Sequence, residues 1–339
     1  MPFSDYLIHT VELTGLKPAG EYAFMLHRVE SDANSPVYWF RTMPDHNRDP
    51  VRIAMGGDAR HRQEWMEEMN AVAMGFDPDV VVWGGDLAYA DGRPERLYRW
   101  EEFFEAILNT LIDDSGRVVP ILFGIGNHEV VGGYFGGGGR GEDAYEDSDA
   151  FREEIAPYYY ALFAFPGHPG YGVLDVGDYL SIILLDSDHT GPVAGRQTEW
   201  LEEVLAARTD VPHLFPIYHV PAYPSVRSFD ARVSSRVRAQ WVPLFEQYGV
   251  ELAFENHDHA YKRTVPIRNN EQAEDGIIYM GDGTWGVAER IPREPEEDWY
   301  LKRTAPHRHV ILISLQNGMR DIKVISNEGQ LLDHLMQRP

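Results

Sequence analysis

The sequence predicts an α/β fold from about residue 50 to residue 339. Short apolar runs typical of buried strands, such as Val51–Met55 and Val80–Trp83, alternate with longer stretches whose apolar residues recur at helical spacing. Hydrophobic residues make up 43% of the chain, which is enough to build a sizeable core. Strands that alternate with helices are the pattern of a parallel or mixed sheet covered by helices.

The first 45 residues have a different pattern and end in a polar linker bounded by prolines. Their predicted strands are Tyr6–Leu13, Tyr22–Val29 and Val37–Thr42. This stretch is similar to the last strands of a fibronectin type III-like sandwich, but three strands are too few for an independent sandwich of about seven. We therefore expect a partial fibronectin type III-like β segment over residues 1–45, which is either truncated or leans on a second domain at residues 50–339.

The second domain divides into alternating elements. Its predicted helices are His61–Met74, Glu95–Leu111, Gly195–Ala207 and Ala231–Tyr248. Its further predicted strands are Val118–Phe123, Gly172–Val176, Tyr179–Leu185, Leu214–Tyr218, Val250–Phe254, Ile277–Met280, His309–Leu315, Ile322–Ile325 and Gln330–Met336. Residues 131–148 are rich in glycine, which predicts a mobile loop that is equally consistent with a lid over a site and with an insertion of no role.

Composition excludes several classes of protein and of site. The net charge of −24 repels nucleic acid and anionic membranes, so neither is an expected partner. The chain has no cysteine, which excludes disulfides, thiolate zinc sites and cysteine nucleophiles. No signal peptide and no apolar run of about 20 residues is visible, so the sequence as given predicts a cytoplasmic protein, or a secreted one if it is N-terminally truncated.

Polar side chains follow five successive predicted strands, at the point where each strand ends. They are Asp58, Asp86, Asn127 with His128, His219, and His257 with His259. Because the carboxyl ends of strands in a parallel or mixed sheet share one edge, we expect these side chains to converge on one cleft. Tyr89 lies three residues after Asp86, so its phenol is expected to face the same cleft. Carboxylates, an amide oxygen and neutral imidazoles are ligands for transition metals.

Each of these residues also has an ordinary structural explanation. A histidine at a strand end is more often a satisfied polar residue than a ligand, and an aspartate in a turn more often caps local amides. The repetition of the pattern at five strand ends favours a metal site, in which His257 and His259 each face a different ion.

Taken together, the motifs resemble those of the calcineurin-like metallophosphoesterases and, within that superfamily, of the purple acid phosphatases. In chain order they are Gly57-Asp58-Ala59-Arg60, Gly85-Asp86-Leu87-Ala88-Tyr89, Gly126-Asn127-His128-Glu129, Tyr218-His219-Val220-Pro221 and Asn256-His257-Asp258-His259-Ala260-Tyr261. The resemblance covers roughly residues 50–336, and the Asp86-x-x-Tyr89 spacing favours the purple subgroup. It implies an α/β fold, α+β by some schemes, in which a four-layer sandwich of two mixed β-sheets is flanked by helices.

The resemblance also implies two metal ions and their ligands. The first, Fe(III), would be bound by Asp58, Asp86, Tyr89 and His259. The second, Fe, Zn or Mn, would be bound by Asp86, Asn127, His219 and His257, with Asp86 shared between the two ions. His128 would donate a hydrogen bond to phosphate and assist the leaving oxygen.

The sequence departs from the family pattern in three places. Arg60 stands where the purple enzymes usually have glycine, so we expect it either to bind phosphate or to pair with a nearby carboxylate. Asn256 replaces the usual glycine before His257, which predicts a left-handed or turn conformation that asparagine tolerates. The substrate-side histidines of the plant enzymes have no match among residues 225–231, where Arg227, or Arg232 just beyond, is a candidate substitute.

These expectations define a hydrolase of phosphoric ester bonds. It would be a dinuclear metal-dependent phosphoesterase that hydrolyses small phosphate monoesters by attack of a metal-bound hydroxide, with His128 and Arg60 as its catalytic residues. One alternative is a phosphodiesterase acting on cyclic nucleotides or other diesters. Another alternative, from a different class, is a metal-binding protein without catalysis. The negative charge of the chain argues weakly against a nuclease.

Overall fold

The structure, a computed structural model, describes residues 7–133 and 145–339. In this part of the chain the strands are β1 (Glu21–Phe24), β2 (His27–Arg28), β3 (Ala33–Asn34), β4 (Tyr38–Arg41), β5 (Val51–Gly56), β6 (Val80–Trp83), β7 (Ile121–Phe123), β8 (Gly172–Val176), β9 (Leu180–Leu185), β10 (His213–Tyr218), β11 (Leu252–Glu255), β12 (Tyr261–Thr264), β13 (Ile267–Arg268), β14 (Glu271–Gln272), β15 (Ile278–Gly281), β16 (Leu301–Ala305), β17 (His309–Gln316), β18 (Met319–Ser326) and β19 (Leu331–Gln337). The α-helices are α1 (Gln63–Met74), α2 (Tyr98–Thr110), α3 (Asp149–Ile155), α4 (Pro157–Leu162), α5 (Arg196–Ala206), α6 (Arg232–Gln240) and α7 (Val242–Gln247).

Two mixed β-sheets form the centre of the molecule. The six-stranded sheet has the order β19-β18-β17-β5-β6-β7, and its strands β5, β6 and β7 are parallel. The seven-stranded sheet has the order β16-β12-β15-β11-β10-β9-β8, and its strands β9, β10, β11 and β15 are parallel. The parallel strands therefore form one end of the six-stranded sheet and the middle of the seven-stranded sheet, and the remaining strands are antiparallel.

Side-chain alternation along the strands builds four layers. Ile182 and Leu184 of β9 pack in the cluster between the two sheets, whereas their neighbours Ile183 and Leu185 pack against α5, α6 and α7. The six-stranded sheet is covered in the same way by α1 and α2 on its outer face. Because both faces of each sheet are buried, the strands appear in the sequence as continuous apolar runs. The predicted four-layer fold is confirmed.

Most predicted elements are present, with shifted ends, but three kinds of difference occur. The predicted helix Ala231–Tyr248 is two helices, α6 and α7, since Pro243 lacks an N–H and suits the first turn of a new helix. The helices α3 and α4 and the strands β3, β12, β13, β14 and β16 were not predicted from the sequence. Residues 134–144, most of the predicted glycine-rich lid, lie outside the described residues.

The N-terminal part contains a β1–β4 pair and a short β2–β3 pair. The predicted strand Tyr6–Leu13 is wrong over its described residues 7–13, where no strand pairs with it and Leu7 and Val11 are 84% and 75% exposed. The backbone N–H of Trp39, in β4, donates to the Gly116 carbonyl at 3.0 Å, so the N-terminal part contacts the larger part of the chain. The division at residues 45–50 and the likeness to fibronectin type III remain predictions.

No helix within residues 7–133 and 145–339 has the length and apolar character needed to cross a membrane.

Candidate metal centre

The structure brings the predicted ligands together where strands of both sheets end. Asp58, Asp86 with Tyr89, and Asn127 follow β5, β6 and β7 of the six-stranded sheet, whereas His219, and His257 with His259, follow β10 and β11 of the seven-stranded sheet. The two groups meet at 3.1 Å between His219 Nε2 and Asp86 Oδ2. The expectation of a single sheet edge is wrong, because the two stacked sheets place their carboxyl ends side by side.

One half of the centre contains Asp58, Tyr89 and His259. The Tyr89 hydroxyl donates to Asp58 Oδ1 at 2.8 Å and lies 3.2 Å from His259 Nε2. His259 Nε2 is also 2.8 Å from Asp58 Oδ1, so three potential ligand atoms surround one point. These are three of the four residues expected around the first ion.

The other half contains Asp86, His219 and His257, which are all buried and each offer one ligand atom within 4.8 Å of the others. His257 Nδ1 lies 3.0 Å from His219 Nε2. Asn127 is buried beside them, and its Oδ1 accepts no hydrogen bond from the described residues. A buried amide oxygen without a donor fits a bound cation, because leaving such an atom unpaired is costly.

Five of the seven proposed ligands share an uncommon backbone conformation. Asp58, Asp86, Tyr89, His257 and His259 have φ angles of 53°, 55°, 57°, 80° and 59°. Left-handed backbone conformations are unfavourable for residues other than glycine. Where such residues occur, they cluster at functional sites, and the surrounding structure stabilises the conformation. The strand-to-loop breaks therefore carry local strain that directs these side chains into the centre.

Asn256 packs the strand ends together in a way that the sequence did not predict. It does not adopt the expected left-handed conformation, which belongs to its neighbour His257. Its buried side chain donates to the Tyr218 carbonyl at 3.0 Å and lies against Gly57 and Gly84. A Cβ atom at those glycines would lie 2.6 Å and 2.9 Å from Asn256 Cγ. Glycine is therefore needed at positions 57 and 84, because a Cβ atom at either position would clash with the Asn256 side chain.

Glu129 is a buried residue of the site that the sequence reasoning missed. Its carboxylate accepts hydrogen bonds at 2.8 Å from the N–H groups of Asp86, Leu87 and Gly126, so it joins the loops that follow β6 and β7. Burial and the Asp86 carboxylate raise the pKa of Glu129 to about 8, although the donated N–H bonds act in the opposite direction. Its signal in the sequence is a glutamate that directly follows Asn127-His128 in an apolar setting.

His128 stands at the edge of the centre and is held by Asp91, which the sequence reasoning also missed. Its Nδ1 lies 2.5 Å from Asp91 Oδ1, and its ring lies 4.2 Å from the Tyr89 ring. Its Nε2 remains 4.0 Å from Asp86 Oδ2. Burial alone would lower the pKa of His128, but the Asp86 and Asp91 carboxylates outweigh it and raise that pKa.

Arg60 forms an ion pair with another side chain of the protein. Its buried guanidinium contacts the Glu102 carboxylate, which is the pairing with a nearby carboxylate that was one of its two predicted roles. Burial and the charge of Arg99 lower the pKa of Arg60 to about 10.

Burial and neighbouring charges shift the pKa values of the residues in the centre. Burial would raise the pKa of Asp86, yet His219 and His128 hold the pKa of this carboxyl well below its usual range. The same contact with Asp86 outweighs burial at His219 and raises the pKa of that imidazole to about 9. Burial and the Asp58 carboxylate raise the pKa of Tyr89 well above its ordinary value, so the phenol is neutral without a metal.

A profile of the calcineurin-like phosphoesterase family matches residues 46–261, which is more than half of the sequence. The chain belongs to this family. The match contains all the residues assigned to the centre, from Asp58 to His259, and the family implies bound metal ions. The resemblance drawn from the five motifs is confirmed.

The relatives with similar sequences include purple acid phosphatases and uncharacterized proteins. Purple acid phosphatase 15 of Arabidopsis thaliana is 24% identical over 326 residues, covering 87% of this chain and 57% of its own length. An uncharacterized protein of Mycobacterium tuberculosis is 29% identical, covering 78% of this chain and 52% of its own. A purple acid phosphatase from yellow lupin (Lupinus luteus) seeds has the same fold, with a TM-score of 0.77, 20% identity, and coverage of 96% and 60%. This chain thus spans little more than half the length of these relatives.

Proposed function

We propose that the protein is a dinuclear metal-dependent phosphoesterase that hydrolyses small phosphate monoesters. The observation that carries the proposal is the pair of ligand groups, one around Asp58 and one around Asp86, built at the joined strand ends of the two sheets. The family assignment and the purple acid phosphatases among the relatives support the same reaction class.

The proposed ligands divide between two positions. Asp58, Asp86, Tyr89 and His259 would bind the first ion, and Asp86, Asn127, His219 and His257 would bind the second. Carboxylates and a phenolate suit a trivalent ion, and imidazoles with an amide oxygen suit Fe, Zn or Mn as divalent ions. Bound ions at such a site neutralise phosphate charge and lower the pKa of coordinated water.

The chain itself contributes orientation and a proton. Asp91 fixes the His128 ring through Nδ1, which leaves Nε2 available to donate toward a phosphate or its leaving oxygen. The raised pKa of His128 keeps that ring protonated closer to neutral pH. The Glu129 carboxylate accepts a hydrogen bond from the Asp86 backbone N–H and so positions the carboxylate that the two ions would share. We propose no catalytic role for Arg60, because its guanidinium contacts Glu102.

A visible absorption spectrum with metal analysis on the same sample tests the assignment of the metals. A broad band in the purple region that disappears in Tyr89→Phe is expected if a tyrosinate binds Fe(III). A colourless protein with two Zn or Mn ions would retain the phosphoesterase proposal and refute the ferric assignment. A protein that binds no metal after reconstitution would refute the proposed function.

Turnover of p-nitrophenyl phosphate against bis(p-nitrophenyl) phosphate tests the reaction. The proposal expects higher kcat/KM for the monoester and loss of activity on chelation. Preference for the diester would instead support the phosphodiesterase alternative. A metal-loaded protein inactive on both would favour the alternative of a metal-binding protein without catalysis.

A further inference from the structure

His61 packs against the phenol of Tyr89, a proposed ligand of the first ion. The centroids of the two rings are 5.5 Å apart, and the ring planes meet at 73°, which is an edge-on contact. The ring of His128 contacts the same phenol, with centroids 4.2 Å apart. Two imidazoles therefore lie against the ring of Tyr89, and only His128 was expected at the centre from the sequence.

Both imidazoles reach solvent, whereas the phenol that they contact is nearly buried. Tyr89 is 5% exposed, but the His128 side chain is 30% exposed and His61 is an exposed residue. The Tyr89 hydroxyl points inward, because it donates to the buried Asp58 carboxylate at 2.8 Å. A molecule that enters from solvent beside Tyr89 therefore meets His61 and His128 before it reaches the proposed ligand atoms.

The main chain of His61 is fixed next to the centre. Its N–H donates to the Gly286 carbonyl at 2.9 Å, and the Gly286 N–H in turn donates to the Asp58 carbonyl at 3.0 Å. A Cβ atom at Gly286 would clash with the Ala59 carbonyl oxygen, so the two segments are in close contact. The position of the imidazole is thus set by backbone contacts of the segment that also carries Asp58.

The imidazole of His61 has no hydrogen bond or ion pair with any side chain or carbonyl of residues 7–133 and 145–339. In this it differs from His128, whose Nδ1 is held by Asp91. The preceding residue, Arg60, already engages the Glu102 carboxylate. Because a neutral imidazole carries one N–H donor, His61 can donate to a bound molecule without being protonated.

The presence or absence of a carboxylate partner separates the roles of the two imidazoles. A carboxylate orients the His128 ring for proton transfer, whereas the unpaired N–H of His61 suits the binding of a charged oxygen. We propose that His61 is a substrate-binding residue that donates a hydrogen bond from its imidazole to a non-bridging oxygen of the phosphate ester. This inference rests on the proposed function, which supplies the ester.

The test separates the N–H donor of His61 from its ring contact with Tyr89. His61→Phe keeps an aromatic ring against Tyr89 and removes the donor, whereas His61→Gln keeps an N–H donor and removes the ring. His46→Phe is the matched control, because His46 is exposed and precedes β5, whose opposite end leads to the centre. For each metal-loaded protein we would measure metal content, kcat and KM for p-nitrophenyl phosphate, and the calorimetric affinity for inorganic phosphate.

The proposal expects His61→Phe to raise KM and to weaken phosphate binding by about tenfold, the size of one hydrogen bond to a charged group, with kcat within about twofold of the wild type. His61→Gln should lose less than His61→Phe, and His46→Phe should match the wild type. Wild-type KM and phosphate affinity in His61→Phe would overturn the proposal and leave packing against Tyr89 as the role of His61. A fall in kcat at unchanged KM, or loss of metal in both His61 variants, would also overturn it.

Failure of this inference and failure of the proposed function give different results. If the wild type hydrolyses the ester and His61→Phe equals it, only the inference is refuted. If the wild type binds phosphate but hydrolyses no ester, the proposed function fails, and the phosphate affinity of His61→Phe still decides whether His61 binds the anion. A metal-loaded wild type that binds no phosphate would overturn the inference.

Discussion

Packing of Asn256 against Gly57 predicts a strong coupling between these two positions. The three atoms nearest to a Cβ at Gly57 all belong to Asn256, and the closest of its carbons, Cγ, lies at 2.6 Å. Gly57→Ala should therefore overpack this contact and reduce the free energy of unfolding by about 1–3 kcal/mol. Backbone strain does not contribute, because Gly57 is not among the residues with positive φ.

Removing the asparagine side chain should remove the clash. Asn256→Gly alone loses the 3.0 Å hydrogen bond to the buried Tyr218 carbonyl and should cost about 1–3 kcal/mol, with about 0.5–1 kcal/mol more from the flexibility of glycine. In the double variant, the methyl group added by Gly57→Ala no longer clashes, because Asn256→Gly has removed the side chain that it would contact. The double variant should then be more stable than the sum of the two single effects by about 1–3 kcal/mol, which exceeds the usual additivity error of about 0.5 kcal/mol.

Urea unfolding of the four proteins, followed by tryptophan fluorescence in the presence of a chelator, measures this cycle without a contribution from metal. Gly191→Ala is the matched control, because no atom lies within 4 Å of its Cβ position and its φ is not left-handed. Its effect should stay within about 0.5 kcal/mol. Additive costs for Gly57→Ala and Asn256→Gly, at unchanged denaturant slope, would refute the account of how the strand ends are packed.

Three further predictions concern charge and metal. The metal-free protein should lose stability as pH rises through about 9, because Asp86 raises the pKa of His219 above its value in the unfolded chain. The stabilisation from protonated His219 should be complete below about pH 6.5, the ordinary pKa of histidine. His219→Gln should therefore flatten the profile of urea midpoints against pH. Adding Fe(III) at pH 7 should release more protons from the wild type than from Tyr89→Phe, because the Tyr89 phenol is neutral before binding; equal release would exclude a tyrosinate ligand. Lys262→Met should cost about 3–5 kcal/mol in urea unfolding, since this fully buried lysine pairs with buried carboxylates, whereas the exposed Lys302→Met should stay near wild type.

Short-range sequence patterns were sufficient for most of the strands and helices and for the candidate metal ligands. Continuous apolar runs indicated β6 and β9, since a strand buried on both faces needs no polar alternation. Polar residues at strand ends indicated the ligands, because open α/β sheets present these ends to their ligands. The same reasoning failed at residues 7–13, where alternating residues have no strand to pair with.

The sequence by itself determined the alternation of most strands and helices after residue 50, the absence of cysteine chemistry, and the seven candidate ligands that point to a metal centre. Only the tertiary structure decided that the ends of two sheets, not one, place the candidate ligands together, and that Glu129, Asp91 and Asn256 contact the segments that carry them. The physical reason is range: periodicity reports the faces of one element, whereas these contacts join residues up to 199 positions apart, as between His257 and Asp58, and arise only when the sheets stack.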